Sequence, residues 1–345
     1  MNLVRPARLR EGDTVAVLSM SWGGPNVFPD VFEAGCAVLT ERFGLRVREY
    51  PTTRARSGTP AASPRVRAAD LQAAFGDESV AAIVASIGGD DSALLLPHLD
   101  AELIRAHPKI LLGYSDTVTQ LVFANLLGMV TFNGPSVMAG FAQLPHFPAA
   151  EAHVRALLME PAATYDYQPY PQWVDAYADW NTPGVTDEVG ELRPHDGWHW
   201  LQGAGRREGR LFGGCVEVLE FLKGSQWWPA ASFWQDRILF LETSEERPTV
   251  EQFRYWLFNY GVQGVFDRAA GLLIGRARGY SDAEKAALDA MVQEVVAGQF
   301  GAVDLPIVTN MDFGHTDPQS IMPLGVLAEL DSDACTFRLL EPAVQ

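Results

Sequence analysis

Between Asp13 and about Glu160, short apolar runs alternate with helical patterns, and this alternation constrains the chain more than any other feature. A helix between two strands has to cross the sheet to return the chain to the same end, so the strands pair in parallel. Residues 14–20 read as the first strand, 29–43 as a helix closed by Gly44, and 45–50 as the next strand. Ser63 and Pro64 supply an N-cap and a first-turn proline for a helix that runs to Phe75 and ends at Gly76. Residues 81–87 follow as a strand, 91–99 as a helix, 110–112 as a strand, 118–127 as a helix and 129–133 as a further strand. The fold class is therefore α/β, with an amino-terminal parallel-sheet domain over residues 1–160.

At 345 residues the chain is long enough for two ordinary cores. Residues 161–209 break the alternation: they are rich in Pro, Gly, Trp and Tyr and carry no long periodic segment, which predicts a linker with a long functional loop. The pattern resumes in residues 210–345, a second, mixed α/β domain. There, 237–241 reads as a strand ending in Glu242, 249–260 as an amphipathic helix capped by Gly261, and 282–297 as another helix. Strands are expected over 270–274, 305–309, 325–330 and 335–339.

The segment Lys109-Ile-Leu-Leu-Gly-Tyr-Ser-Asp-Thr117 brings Ser115 to the point where a buried strand turns into a helix. Gly113 permits a tight turn, Asp116 and Thr117 supply capping chemistry, and the Asp116 N–H lies near the positive end of the helix dipole. An oxyanion forming there gains about 3–4 kcal/mol per good donor. This is not the G-x-S-x-G elbow, since Thr117 stands where that motif has Gly. The alternative is that Ser115 is only a turn residue. Partners for an activated serine occur in two places, Glu242 at the end of its strand and His315 in the loop Asp312-Phe-Gly-His-Thr-Asp. The bland alternative has Glu242 solvated beside Glu245 and Glu246. Gly88 and Gly89 end the strand beside that of Ser115, where bare backbone can offer N–H groups. They lack the third glycine of a dinucleotide fingerprint.

Composition narrows the partners. A net charge of −17 repels a phosphate backbone and an anionic bilayer, so neither a nucleic acid polymer nor a membrane is expected. No run of 18 apolar residues and no secretory pattern is visible, which predicts a cytoplasmic protein. Cys36, Cys215 and Cys335 are scattered and odd in number, against both a disulfide framework and a cysteine zinc site. His195 and His199 share i, i+4 spacing, but Pro194 and Gly197 argue against the helix a metal pair would need. Trp173, Trp180, Trp198 and Trp200 lie in the loop region, where aromatics either stack on flat ligands or pack.

Taken together these pieces resemble the LD-carboxypeptidase superfamily of serine peptidases, and within it the branch of the microcin C self-immunity proteins. The resemblance rests on six segments in order: Leu9-Arg-Glu-Gly-Asp-Thr-Val-Ala-Val-Leu-Ser, Ser86-Ile-Gly-Gly, Leu112-Gly-Tyr-Ser-Asp-Thr, Gly209-Arg-Leu-Phe-Gly-Gly, Leu239-Phe-Leu-Glu and Phe313-Gly-His-Thr-Asp-Pro. It implies a flavodoxin-like amino-terminal domain, a site between the two domains, a homodimer, and no metal or organic cofactor. It further implies a Ser115–Glu242–His315 triad and an oxyanion hole from Gly88, Gly89 and Asp116. The long aromatic loop selects the immunity branch, with Asp179-Trp180-Asn181 and Asp196-Gly197-Trp198 similar to the segment that stacks on an adenine. The substrate implied is an aminoacyl- or peptidyl-nucleotide; the alternatives are a murein tetrapeptide, cut by an LD-carboxypeptidase, and a non-catalytic protein that binds a nucleotide or peptide in the same cleft. One departure stands out: relatives carry Asn-Leu-Asn after Phe-Gly-Gly, whereas Cys215-Val-Glu217 follows here. Glu217 thus becomes a candidate for substrate contact with a different preference from the acidic aminoacyl groups of the relatives.

Overall fold

The computed structural model describes residues 3–182 and 184–345. Five parallel strands, β1 (Thr14–Leu18), β2 (Arg46–Glu49), β3 (Val80–Ala85), β4 (Ile110–Gly113) and β5 (Thr131–Asn133), form the first sheet in the order β2-β1-β3-β4-β5. That is the flavodoxin order, with the strand sequence reversing between β1 and β3. The buried runs of β1, β3 and β4 are continuous rather than alternating because helices cover both faces. Met322–Leu324, from far along the chain, adds an antiparallel strand beside β5.

The second sheet has eight strands. Its centre is parallel, Arg206–Cys215 beside Arg237–Glu242, then Gly271–Gly275 and Ile307–Met311. Leu327–Asp331 and Thr336–Leu339 extend it antiparallel on one side. The segment expected as a linker supplies both edges: Tyr165–Asp166 pairs with Thr336–Leu339, and His199–Gln202 with Ile307–Met311. These strands are two and four residues long, too short to leave a period-two signal in the sequence.

The helix Val118–Leu126 lies between the two sheets. Every residue from Val118 to Asn125 is buried, as expected of a helix covered on all sides. Gly214 lets it close on the second sheet, since a Cβ there would meet the Val118 methyls at 2.6 and 2.7 Å. Two expected helices differ, one in its end and one in its type. The helix Val250–Val262 runs through Gly261, where a Cβ would overlap the Phe300 ring, so this glycine serves close packing rather than termination. Residues 91–99 form a 3₁₀ helix, Ser92–His98, with Pro97 inside it. Among the described residues no helix is long and apolar enough to cross a membrane.

Candidate active site

Ser115 follows β4 with φ 58°, in the left-handed region. A non-glycine residue pays about 1–3 kcal/mol for that conformation and keeps it only where its surroundings impose it. Here Thr117 does so by donating from both its hydroxyl and its N–H to the Tyr114 carbonyl, at 2.8 and 3.3 Å. The expectation for Gly113 needs correction: the turn falls on Ser115 itself. Gly113 lacks a side chain because a Cβ would meet Thr117 Oγ1 at 2.6 Å and Ala85 Cβ at 2.8 Å. Asp116 and Thr117 do not cap the helix with their side chains, because a 3₁₀ turn, Ser115–Thr117, intervenes. The Asp116 carboxylate instead accepts from the Ser92 N–H at 2.8 Å, tying the turn to the segment after the Gly88-Gly89 dipeptide.

The second sheet brings the partners. Glu242 ends a central parallel strand, fully buried, and its Oε2 lies 2.7 Å from His315 Nδ1. His315 Nε2 lies 3.0 Å from Ser115 Oγ. Gly314, at φ 104°, makes the approach possible, since a Cβ there would stand 2.8 Å from Glu242 Oε2. Tyr114 packs its ring edge-on against the imidazole, 4.9 Å between centroids. A third polar contact has no counterpart in the sequence analysis: Glu245 Oε2 also lies 3.0 Å from Nε2. Burial alone would lower the His315 pKa, but Glu242 and then Glu245 outweigh it and push it up to about 10. Burial pushes Glu242 up, against the pull of the histidine. The hydrogen bond from His315 is the main cause that brings Glu245 down to about 2. A hydroxyl against an imidazole whose far nitrogen faces a carboxylate can pass its proton to the ring as the oxygen attacks a carbonyl.

Around Ser115 the backbone closes in. A Cβ on Gly88 would stand 2.9 Å from both Cβ and Oγ of Ser115 and 3.4 Å from the Asp116 nitrogen, so Gly88, Asp116 and the hydroxyl converge on one point. Gly89, at φ 148°, leaves no room for a Cβ against Ser21. Arg67, buried, fixes this turn by pairing with Asp91 and donating to the carbonyls of Met20 and Ser21. The cleft above has a volume of about 340 Å³ and is walled by Trp22, Phe28, Tyr177 and Trp180, with Glu245 and Arg278 at its charged side. A larger groove of about 720 Å³ opens at the opposite, strand-starting end of the second sheet; neither histidine nor serine lines it.

Of the aromatic candidates, Trp180 lines the cleft, edge-on to Phe28 at 5.5 Å. Trp198 does not. Its indole N–H donates to Asp312 at 2.8 Å, within a buried cluster in which Asp312 also pairs with Arg276 at 2.5 Å and faces His195 at 3.3 Å. Glu217 stands outside the cleft lining as well, because the helix Val216–Glu220 starts where the strand Arg206–Cys215 ends and aims its carboxylate at the loop after Glu242. It accepts from the Ser244 N–H at 2.9 Å and hydroxyl at 2.7 Å. His199 is likewise engaged, 2.8 Å from Asp289. Among the described residues no group of three or more His, Cys, Asp or Glu side chains could hold a metal ion. Tyr114, Tyr177, Glu245 and Arg278 were missed in the sequence, and only Tyr114, next to Ser115, carried a signal that could have found it.

The chain matches the LD-carboxypeptidase N-terminal domain over residues 15–134 and the LD-carboxypeptidase C-terminal domain over residues 208–330. It is 29% identical over 344 residues to the microcin C7 self-immunity protein MccF of Escherichia coli, covering 97% of this chain and 95% of that protein. Its fold is similar to that of MccF in complex with aspartyl sulfamoyl adenosine, with a TM-score of 0.88 and 26% identity over 99% of this chain and 100% of the other. It is also similar to the MccF-like protein from Streptococcus pneumoniae in complex with AMP, with a TM-score of 0.83 and 28% identity over 95% and 98% of the two chains.

Proposed function

The chain belongs to the LD-carboxypeptidase family, and from that membership we propose that it is a serine hydrolase cleaving an amide-type bond in aminoacyl- or peptidyl-nucleotides of the microcin C kind. The observation that carries this reading is the unbroken hydrogen-bonded line Ser115–His315–Glu242, opening on a cleft walled by Trp180. Ser115 Oγ attacks the acyl carbon while its proton passes to His315 Nε2, and Glu242 holds the ring through Nδ1–H and stabilises the imidazolium. The oxyanion meets the backbone N–H groups of Gly88 or Gly89 and of Asp116. As the tetrahedral intermediate collapses, His315 returns the proton to the leaving nitrogen. Water, activated by the same ring, then releases the acyl group from Ser115.

The MccF complex with aspartyl sulfamoyl adenosine and the S. pneumoniae complex with AMP support a nucleotide in the cleft. Trp180 is the side chain suited to stack on the base. Purified protein offered an aminoacyl sulfamoyl adenosine and a murein tetrapeptide should hydrolyse the first. Intact-mass spectrometry on a slow substrate should show an acyl adduct on the wild type and none on Ser115→Ala. Turnover of the tetrapeptide alone would move the assignment to murein peptides, and undiminished turnover by Ser115→Ala would end the serine-hydrolase reading.

A further inference from the structure

Two groups compete for one nitrogen. Ser115 Oγ and Glu245 Oε2 each lie 3.0 Å from His315 Nε2. The neutral ring, with its proton on Nδ1 toward Glu242, presents a lone pair at Nε2, which is what Ser115 requires and what a carboxylate repels. The protonated ring suits Glu245 and cannot act as a base. Glu245 therefore opposes the form of His315 that the reaction uses, unless something draws its charge elsewhere.

Glu245 is built into the cleft rather than adrift beside it. It stands three residues past Glu242, on a loop that Glu217 grips through both polar groups of Ser244. Its side chain is 53% exposed and lines the cleft, and among the described residues no Lys or Arg comes within 4.0 Å of it. Arg278 shares the lining, with its guanidinium 4.9 Å from the centre of the Tyr177 ring. Two 3.0 Å contacts meeting at Nε2 keep Glu245 Oε2 within about 6 Å of Ser115 Oγ, and a carbonyl carbon poised for attack lies about 3–3.5 Å from that oxygen. The nitrogen on the next carbon of an aminoacyl group is two bonds, about 2.5 Å, from that carbonyl carbon, so these spans together allow it to meet the carboxylate.

We propose that Glu245 determines specificity by receiving the free α-ammonium group of the residue whose carbonyl Ser115 attacks, and that this contact releases Nε2 to Ser115. The assignment rests on the hydrolase reading and narrows its substrates to acyl groups with an unblocked amine. Aminoacyl conjugates qualify, whereas peptidyl conjugates, whose corresponding nitrogen is an uncharged amide, do not. The chain's charge of −17 draws cations toward the surface in the same sense. Glu242, Glu245, Tyr114 and Asp317 face or surround the imidazole, and the Arg278 charge acts on Glu245 and Asp317. Removing the charge of Glu245 leaves Glu242 as the one carboxylate in direct contact with a ring nitrogen, so His315 would lose its proton at lower pH.

The test compares alanyl sulfamoyl adenosine with its N-acetyl derivative on wild type, Glu245→Gln and Glu245→Asp. The wild type should favour the free amine by about 10–100-fold in kcat/KM, the scale of one charge-assisted contact in a half-exposed site. Glu245→Gln should bring the pair within about threefold by losing the free amine and gaining the acetylated compound, and its acid limb on the acetylated compound should move to lower pH. Glu245→Asp should keep the preference. A wild-type ratio near one, or an unchanged ratio in Glu245→Gln, overturns the assignment while leaving the hydrolase intact. Binding of the pair to Ser115→Ala reads the same preference without turnover. Hydrolysis of neither compound by the wild type, together with no binding to Ser115→Ala, overturns the nucleotide reading and this assignment with it.

Discussion

Ser115 follows a buried parallel strand and Glu242 ends another, yet the two sheets contribute different things to the cleft. Around Ser115 the amino-terminal sheet supplies backbone: a left-handed residue, Gly88 packed on its hydroxyl, and the Asp116 nitrogen beside both. Around Glu242 the carboxy-terminal sheet supplies ionisable groups, Glu242, Glu245 and His315, whose proton affinities depend on one another. Shape on one side and charge on the other predict different failures. Substitutions near Ser115 should lower rates at every pH, and those near Glu242 should also change how the rate depends on pH.

The largest effects should break the charged side. Glu242→Gln and His315→Ala are each expected to cost about 10³–10⁴ or more in kcat, and the double variant less than about tenfold beyond His315→Ala, because members of one proton-transfer unit fail together. Losses that multiply would give the two residues separate structural roles. The sign of the pH dependence follows from the raised His315 pKa of about 10: the ring is an imidazolium below it, so kcat/KM on a substrate that leaves Glu245 in place should rise with pH toward that value.

Gly88→Ala should sharpen the contrast from the other side. Its Cβ would stand 2.9 Å from Ser115 Oγ and 3.4 Å from the Asp116 nitrogen, inside the oxyanion hole proposed above. A loss of about 10²–10³ in kcat is expected, with the pH profile unmoved. A shifted acid limb in Gly88→Ala would mean that the two regions are not separable in this way.

The sequence disclosed these regions unequally. The parallel strands were legible because continuous apolar runs between helical patterns have one architectural solution, and Ser115, Glu242 and His315 stood out through their positions after strands. The edge strands Tyr165–Asp166 and His199–Gln202 were not, since two to four residues with no alternation take their conformation from the neighbour they pair with. Glu245 was hidden for a related reason. A carboxylate in a loop has no periodicity, and only the meeting of that loop with His315 from another strand gives it a partner. Trp198 and Trp180 looked alike in sequence because an indole in a polar loop carries no sign of whether its N–H will be used inside the protein.

These two tryptophans supply the smallest and most selective test of how residues 161–209 serve the two sides. Trp180, edge-on to Phe28 in the cleft wall, is open to a base, and stacking is worth about 1–3 kcal/mol, so Trp180→Ala should raise KM for adenylates by about 5–150-fold and leave thermal stability nearly unaltered. Trp198 hydrogen-bonds inward to Asp312, whose carboxylate keeps Arg276, so Trp198→Phe removes one donor from a buried acceptor that retains another. The expected cost is about 1 kcal/mol in denaturant unfolding, with KM unchanged. The result that would undo this division is a KM effect from Trp198→Phe as large as that from Trp180→Ala. The Asp312 cluster would then be setting the position of the His315 loop, three residues on, and the segment would act on the charged side of the cleft as well as on its aromatic wall.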